Sequence, residues 1–226
     1  MRILFCNIAW MDYYKGIIPG VDVPKNGGSY VSVTGDAHEA FNFLPVDISF
    51  TNGEYPAGMY CLGFVETKST NRSDRNELHI EKIAGCETLT KENTVEDVLV
   101  VYCAKYPFAE KNETYVVGWY QHATVYRYYA CTTFPLEDGG EEEQYYNALA
   151  LAENCVLLPR NKRRNPSMWR VPRMSEGRGF GLGQANVWFA SDREENKALV
   201  DWLTALEHRI LTYDGENDLY REIDFI

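Results

Sequence analysis

VLVVYCAKYPFAEKNETYVVGWYQHATVYR, residues 98–127, contains the clearest structural signal in the chain. Two runs of β-branched and aromatic residues, 98–104 and 115–127, flank a polar connection that contains Pro107 and Asn112. This pattern predicts two strands joined by a loop. Side chains of the second run alternate between two faces, and neither face is uniformly apolar. We therefore expect this strand to be buried on both sides, with a core on one and an aromatic-walled cavity on the other.

The second run places Trp119 on one face and Tyr120 and His122 on the other, which supports a cavity. An ordinary core strand, with its ring hydroxyls and His122 satisfied internally, fits the same pattern, so both interpretations stay open. Outward from this pair, short apolar runs predict strands over 2–9, 59–66, 78–83, 156–158 and 184–190. Helical patterns predict helices over 141–154 and, after a capping box at 191–194, over 191–210.

Composition places the chain in the globular class. Its 226 residues are 45% hydrophobic and 14% aromatic, which is ample for a packed core. No repeat and no linker is evident, so we expect one α+β domain over 1–226 with an acidic C-terminal tail over about 211–226. No stretch approaches the roughly 20 apolar residues of a membrane helix, and the N-terminus lacks a signal-peptide pattern. These features predict a cytoplasmic protein without a membrane partner.

The six cysteines are scattered without a CxxC pair. In a cytoplasmic protein this spacing predicts reduced core residues rather than zinc ligands or disulfides. His38-Glu39, His79 with Glu81, and His122 do not form a recognised metal motif. A serine or cysteine nucleophile elbow and a His-Asn-His nuclease pattern are also missing from the sequence. We therefore expect no catalytic residues, metal or cofactor, and any catalytic module would lie on another domain or chain.

Charge is distributed unevenly. The net charge of −11 argues against a protein that coats nucleic acid. Residues 160–178 nevertheless carry +6, which leaves −17 on the remainder. This segment predicts local contact with a phosphate backbone, and the alternative is a basic loop docked on the chain's own acidic surface, such as 141–143. The predicted phosphate-binding residues are Arg160, Lys162, Arg163, Arg164, Arg170, Arg173 and Arg178.

Recognition of an extruded or single-stranded base needs aromatic walls, polar groups that read the base edge, and a basic rim. The basic segment supplies the rim, and Trp169 within it is a candidate wedge or stacking residue. Residues elsewhere offer walls and readers. The candidate base pocket comprises Trp10, Asn26, Ser29, Tyr30, His38, Trp119, Tyr120, His122, Asn186 and Trp188.

A family resemblance points the same way. Residues 97–102, a loop, then 115–119 and Val125 resemble the paired strands of PUA-like domains, in particular the EVE, YTH and ASCH group. Tyr102, Gly118 and Trp119 lie in the matched strands. The resemblance implies a small, twisted, mixed β-barrel with flanking helices and a pocket for a modified or flipped base. The long glycine-rich insertion before Met59 departs from the compact members of the group and leaves the position of any pocket open.

Segments 118–127 and 181–190 are also similar to N-terminal regions of bacterial restriction proteins that carry HNH nuclease domains elsewhere. The resulting hypothesis is a non-catalytic sensor that binds DNA through a flipped, modified base in a modification-dependent restriction or antiphage system. A nuclease domain or subunit is then the expected partner. Two alternatives remain: a sensor of a nucleotide or small molecule without duplex binding, and an acidic protein-interaction or inhibitor protein.

Overall fold

The computed structural model describes residues 1–26, 38–48, 55–67, 76–135, 141–191 and 196–223. Its strands are β1 Arg2–Ile8, β2 Pro45–Ile48, β3 Gly58–Gly63, β4 Thr94–Lys105, β5 Thr114–Pro135, β6 Glu141–Leu151, β7 Cys155–Leu157, β8 Arg170–Val171 and β9 Val187–Trp188. Its α-helices are α1 Arg160–Arg163, α2 Pro166–Trp169 and α3 Lys197–Leu211. Short 3₁₀ turns lie at His38–Phe41, Ile80–Lys82, Ala152–Asn154, Met174–Glu176 and Asp218–Tyr220.

The strands form one mixed sheet in the order β2-β3-β6-β5-β4-β1-β9, with β7 and β8 paired to β5. β1 runs parallel to β4, and the pairs from β4 through β5, β6 and β3 to β2 are antiparallel. Within the described residues, the two ends of this order do not pair with each other. The α+β class is thus confirmed, but the described strands form an open sheet where the resemblance implied a barrel.

The predicted strand pair at 98–127 is confirmed and forms the centre of the sheet. Both strands extend beyond the predicted limits, because β4 begins at Thr94 and β5 continues to Pro135. Apolar side chains pack on both faces of the sheet in two large clusters. Trp119 belongs to one cluster and Tyr120 to the other, and neither has exposed surface. Their burial therefore supports an ordinary core strand rather than a strand that lines an open cavity.

The helix predicted over 141–154 is wrong, because this segment forms β6. Its alanine, leucine and glutamate residues favour a helix locally, but β6 lies between β3 and β5 and pairs with both. The strand predicted over 78–83 is also wrong, since it contains a 3₁₀ turn at Ile80–Lys82. Of the strand predicted over 184–190, only Val187–Trp188 pairs as β9.

The predicted second helix is confirmed as α3, the longest described helix at 15 residues. Asn196 caps it by accepting a hydrogen bond from the backbone of Leu199, and part of the predicted capping box lies outside the described residues. The segment after α3 packs onto the fold, because Leu219 is buried and Asn217 accepts a hydrogen bond from Leu157 at 2.9 Å. No helix in the described part of the chain is long and apolar enough to span a membrane.

The predicted reduced cysteines are confirmed, since all six are free thiols and five are buried. Cys131 is the exception and is exposed on β5. Burial raises the pKa of the Cys6, Cys103 and Cys155 thiols above the ordinary range, so these side chains stay protonated and behave as small apolar residues.

Candidate functional site

Three strands that run in the same direction deliver their C-terminal ends to one place. β1 is parallel to β4, and β7 runs the same way as β4 because both are antiparallel to β5. The segments that leave these ends carry Trp10 after β1, Tyr106 after β4 and Arg160 after β7. Ligands of α/β proteins commonly bind beyond the carboxyl ends of such strands. A ligand site is therefore expected at this end of the sheet.

A cleft of about 620 Å³ opens at these strand ends. This volume lies in the range of sites that hold small ligands. Its walls combine aromatic rings with cations, and we call it the basic-aromatic cleft. The lining residues are Trp10, Asp12, Lys25, Tyr106, Phe108, Arg160, Asn161 and Arg164.

The aromatic wall consists of three rings in a row. Trp10 and Tyr106 meet edge to face with centroids 5.1 Å apart, and Tyr106 and Phe108 do the same at 5.6 Å. Trp10 is only 2% exposed and forms the floor, whereas Phe108 is 71% exposed and stands at the rim. Phe108 therefore offers ring surface to a ligand at the mouth of the cleft.

Cations cover the rings. The guanidinium of Arg164 lies 4.3 Å from the centroid of Tyr106, and the ammonium of Lys25 lies 5.3 Å from that of Phe108. Lys25 is fixed opposite Trp10, because the two residues exchange backbone hydrogen bonds of 2.7 and 2.9 Å. The wall thus presents positive charge and flat apolar surface side by side.

The third cation, Arg160, is paired with an acid of the opposite wall. Its Nη1 lies 2.9 Å from Oδ2 of Asp12, and this hydrogen bond raises the pKa of Arg160. The guanidinium is nevertheless well exposed, whereas Asp12 is largely buried. Asp12 therefore orients Arg160 without removing it from solvent.

Arg163 lies behind the cleft and joins its walls. Its guanidinium is fully buried and donates to the carbonyls of Leu158, Met11 and Asp12 at 2.6–2.7 Å. It also lies 5.7 Å from the ring centroid of Trp10. Burial lowers the pKa of Arg163, but a guanidinium stays charged at neutral pH. This one side chain fixes the loop after β1 against the segment after β7.

Asp22 holds the same loop from the other side. Its carboxylate accepts hydrogen bonds from the backbone N–H groups of Asp12, Tyr13 and Tyr14 at 2.7, 2.7 and 3.2 Å. Burial raises the pKa of Asp22, and the three hydrogen bonds oppose that rise. Asp22 is therefore a structural group that shapes the loop rather than a group offered to a ligand.

No protein-family model, curated protein or solved structure matches this chain. The PUA-like relationship of β4 and β5 stays a prediction.

The predicted base pocket does not assemble as a single site. Trp10 lines the cleft, but Trp119 and Tyr120 are sealed in the two cores. Trp169, the predicted wedge, is 3% exposed and stacks on Trp119 with centroids 5.4 Å apart. Neither Trp119 nor Tyr120 can line an open pocket without unpacking a core, and Trp169 is wrong as a wedge for the same reason.

The other pocket candidates lie apart from the cleft. His122 is exposed and pairs with Asp97 at 2.8 Å, and His38 contacts the ring of Phe64. Asn186 donates to Glu66, and Trp188 stacks on the core residue Phe5. Asn26 is exposed next to Lys25 but does not line the cleft. Ser29 and Tyr30 lie outside the described residues.

The predicted phosphate-binding residues separate into two groups. Arg160 and Arg164 line the cleft, and Lys162 is exposed between them in sequence. Arg163 is buried, which corrects its assignment as a phosphate ligand.

The remaining arginines are tied to the protein itself. Arg170 is paired with Glu113 and Glu176 at 3.0 Å each, and Arg178 with Glu176 at 3.3 Å. Arg173 donates to Thr114 and to the carbonyl of Gly183. The second half of the basic segment is thus docked on the protein's own acidic groups, which was the alternative left open by the sequence. The acids are Glu113 and Glu176 rather than residues 141–143.

Sequence reasoning missed most of the cleft, namely Asp12, Lys25, Tyr106, Phe108 and Asn161. One signal was present: the connection between the two central strands is polar apart from the motif Tyr106-Pro107-Phe108. Aromatic rings in an otherwise polar loop indicate contacts outside the loop, and Tyr106 does pack against the core and against Trp10. The pairing of β1 with β4, which brings Trp10 to these rings, has no comparable local signal.

One further group has the composition of a metal site. Ligand atoms of Glu77, His79 and Glu81 all lie within 4.8 Å of one another. Arg127 already donates to both carboxylates from Nη1 at 2.7 and 2.6 Å, so its guanidinium supplies their counter-charge. Arg127 also donates to the carbonyls of Leu89 and Glu92. The group is therefore better explained as part of a hydrogen-bond network around Arg127 that fixes the segment before β4 onto β5.

Proposed function

We propose that the protein is a non-catalytic recognition module that takes one nucleobase of a nucleic-acid strand into the basic-aromatic cleft. The observation that carries this proposal is the pairing of cations with aromatic rings across the cleft, where Arg164 covers Tyr106 and Lys25 covers Phe108. A nucleotide joins a flat aromatic base to an anionic phosphate, so it needs both kinds of group within one small site.

The base is expected to stack at the rim. Phe108 offers exposed ring surface, and the guanidinium plane of Arg164 offers a second flat surface above Tyr106. Stacking of a base on a protein ring contributes about 1–3 kcal/mol and tolerates every base. Asn161, which is exposed in the lining, supplies an amide donor and acceptor that can distinguish one base edge from another.

The phosphate is expected between the basic groups. Arg160 and Arg164 come from the segment after β7, and Lys25 comes from the opposite wall. Arginine forks bind phosphate oxygens in pairs, and lysine adds a point charge. The two walls thus approach a bound phosphate from two sides.

Binding of labelled single-stranded oligonucleotides, measured by fluorescence anisotropy, tests this proposal. Phe108→Ala and Arg164→Ala should each weaken binding by about 1–3 kcal/mol, since each removes a stacking surface. Two exposed residues outside the cleft provide matched controls: Tyr220→Ala removes a ring and Arg178→Ala removes a guanidinium. Equal affinity of the Phe108 and Tyr220 variants would show that the cleft does not hold the base.

The more specific hypothesis is that the base is modified and flipped out of duplex DNA, as a PUA-like sensor in a modification-dependent restriction system would require. Flipping costs a few kcal/mol, which contacts in the cleft and at exposed Lys162 would have to offset. Duplexes with and without one modified base, compared in the same assay, test it. The cytoplasmic location and the nuclease partner stay predictions from the sequence.

A free nucleotide is the second candidate, and the size of the cleft favours it. A volume of about 620 Å³ is typical of a site for one small ligand rather than of a groove that follows a strand. A panel of nucleotides in a thermal-shift assay separates the two candidates. A nucleotide sensor is stabilised by a free ligand and gains nothing from oligonucleotides.

A further inference from the structure

We infer that the basic-aromatic cleft selects a phosphomonoester, the phosphate of a free nucleotide or of a strand end, over the phosphodiester inside a strand. This inference rests on the proposed function and narrows its ligand to a free nucleotide or the end of a strand, which argues against a base flipped out from inside a duplex. Two observations support it: positive charge is concentrated in the lining of the cleft, and little unpaired positive charge is left in the rest of residues 160–178.

The charge of the lining is high for so small a space. Lys25, Arg160 and Arg164 face a single carboxylate, Asp12, which gives the lining a net charge of +2. Immediately behind it, the buried Arg163 and Asp22 carry opposite charges. The charge of the lining therefore suits a ligand with about two negative charges.

The basic segment does not extend this charge into a stripe. Arg170 and Arg178 share Glu176, and Arg170 also meets Glu113. Arg173 is committed to a hydroxyl and a backbone carbonyl. Beyond the cleft, residues 160–178 thus leave one exposed cation, Lys162, that has no acidic partner within 4.0 Å among the described residues. A strand bound along its backbone needs several successive phosphate contacts, and this segment does not provide them.

The two kinds of phosphate differ in charge and in the number of terminal oxygens that can accept hydrogen bonds. A phosphomonoester carries a charge of about −1.5 to −2 at neutral pH and offers three terminal oxygens. A phosphodiester carries one negative charge and offers two such oxygens. The guanidinium of Arg164, the N–H groups of Arg160 that Asp12 does not occupy, and the ammonium of Lys25 offer a donor for each of the three oxygens of the first, whereas the second has one oxygen fewer.

Direct binding measurements with matched ligands test the inference. One arm compares a short single-stranded DNA with a 5′-phosphate, with a 3′-phosphate and with neither. The other arm compares a nucleoside monophosphate with its nucleoside and with its methyl phosphodiester. The terminal phosphate is expected to strengthen binding roughly tenfold or more, the usual effect of hydrogen bonds to a charged group. The first arm detects a strand end and the second a free nucleotide.

Variants identify the site of this preference. Lys25→Met and Arg164→Ala should reduce the phosphate preference, while Arg178→Ala, an exposed arginine outside the cleft, should leave it unchanged. Thermal unfolding checks that each variant is folded. If the unphosphorylated strand binds as well as the phosphorylated one, and cleft variants weaken both, the inference is wrong and the proposed function stands. If cleft variants change no binding at all, both are wrong.

Discussion

Replacing Arg163 with alanine is expected to destabilise the fold and to separate the two walls of the cleft. The side chain is fully buried and donates three hydrogen bonds, to Leu158 behind one wall and to Met11 and Asp12 in the other. Alanine would leave three buried carbonyl groups without these donors and a space where the guanidinium lay. The variant therefore tests whether a buried cation holds the site together.

The magnitude follows from these three bonds. A hydrogen bond to a charged group contributes about 1.5–3 kcal/mol, so three give roughly 5–9 kcal/mol as an upper bound. Removing the charge also removes its own cost of burial, and water entering the space would satisfy some of the carbonyls. We expect a net loss of about 3–5 kcal/mol in the free energy of unfolding, because each carbonyl left without a donor costs about 1–3 kcal/mol and water entering the space offsets part of that sum.

Urea denaturation followed by circular dichroism measures this loss. Arg178→Ala is the control, because its exposed ion pair with Glu176 contributes at most about 1 kcal/mol. Arg163→Lys should recover only part of the stability, since an ammonium cannot reproduce the planar fork. If Arg163→Ala unfolds within about 1 kcal/mol of the control, the three carbonyls do not depend on Arg163 and its assigned role is wrong.

Three further variants test the packing and the charges. Gly118→Ala should destabilise by about 1–3 kcal/mol, because its methyl group would overlap the backbone of β7, whereas Gly58→Ala meets its nearest atom at 3.6 Å and should be tolerated. Trp169→Ala should cost about 3–5 kcal/mol in thermal or urea unfolding, as expected of a core ring and not of a wedge. Burial alone would raise the pKa of Glu81. Hydrogen bonds from its own backbone and from Arg127 outweigh this effect, so the pKa in the folded protein lies below the ordinary value. Its stabilising contribution is thus present above about pH 4.3 and lost as pH falls through the folded pKa, and Glu81→Gln should unfold with a weaker acid dependence.

The sequence predicted the centre of the fold because its signal there is local. The two runs in 98–127 are rich in β-branched and aromatic residues, and they pair with each other across a short connection. The segment that became β6 shows the opposite case. Its helix-forming residues were overridden by pairing on both sides, with β5 directly before it and with β3, which lies far away in the sequence. Such non-local pairing leaves no periodicity that a single sequence displays.

The candidate site could be predicted only in part for a related reason. Composition identified rings and arginines as the useful groups, and Trp10, Arg160 and Arg164 do meet in the cleft. It did not distinguish exposed rings from buried ones, so Trp119 was chosen and Phe108 was not. Large aromatic side chains provide most of their stabilisation in cores. The aromatic residue available to a ligand is therefore the one in the loop, Phe108, which is exposed.

The short helix α1 shows why the number of positive charges in residues 160–178 was a poor guide to phosphate binding. Arg160 and Arg164 are four residues apart and share the outer face, while Arg163 turns inward to carbonyl groups that lack strand partners. The same segment thus provides the buried arginine that holds the walls of the cleft together and the two exposed arginines that make its lining positive. A combined alanine variant of Arg163, Arg164 and Arg170 would weaken nucleic-acid binding through loss of structure even if no phosphate touched these residues. Arg164→Ala alone, on an exposed guanidinium, changes the charge offered to a ligand and leaves the supporting hydrogen bonds intact.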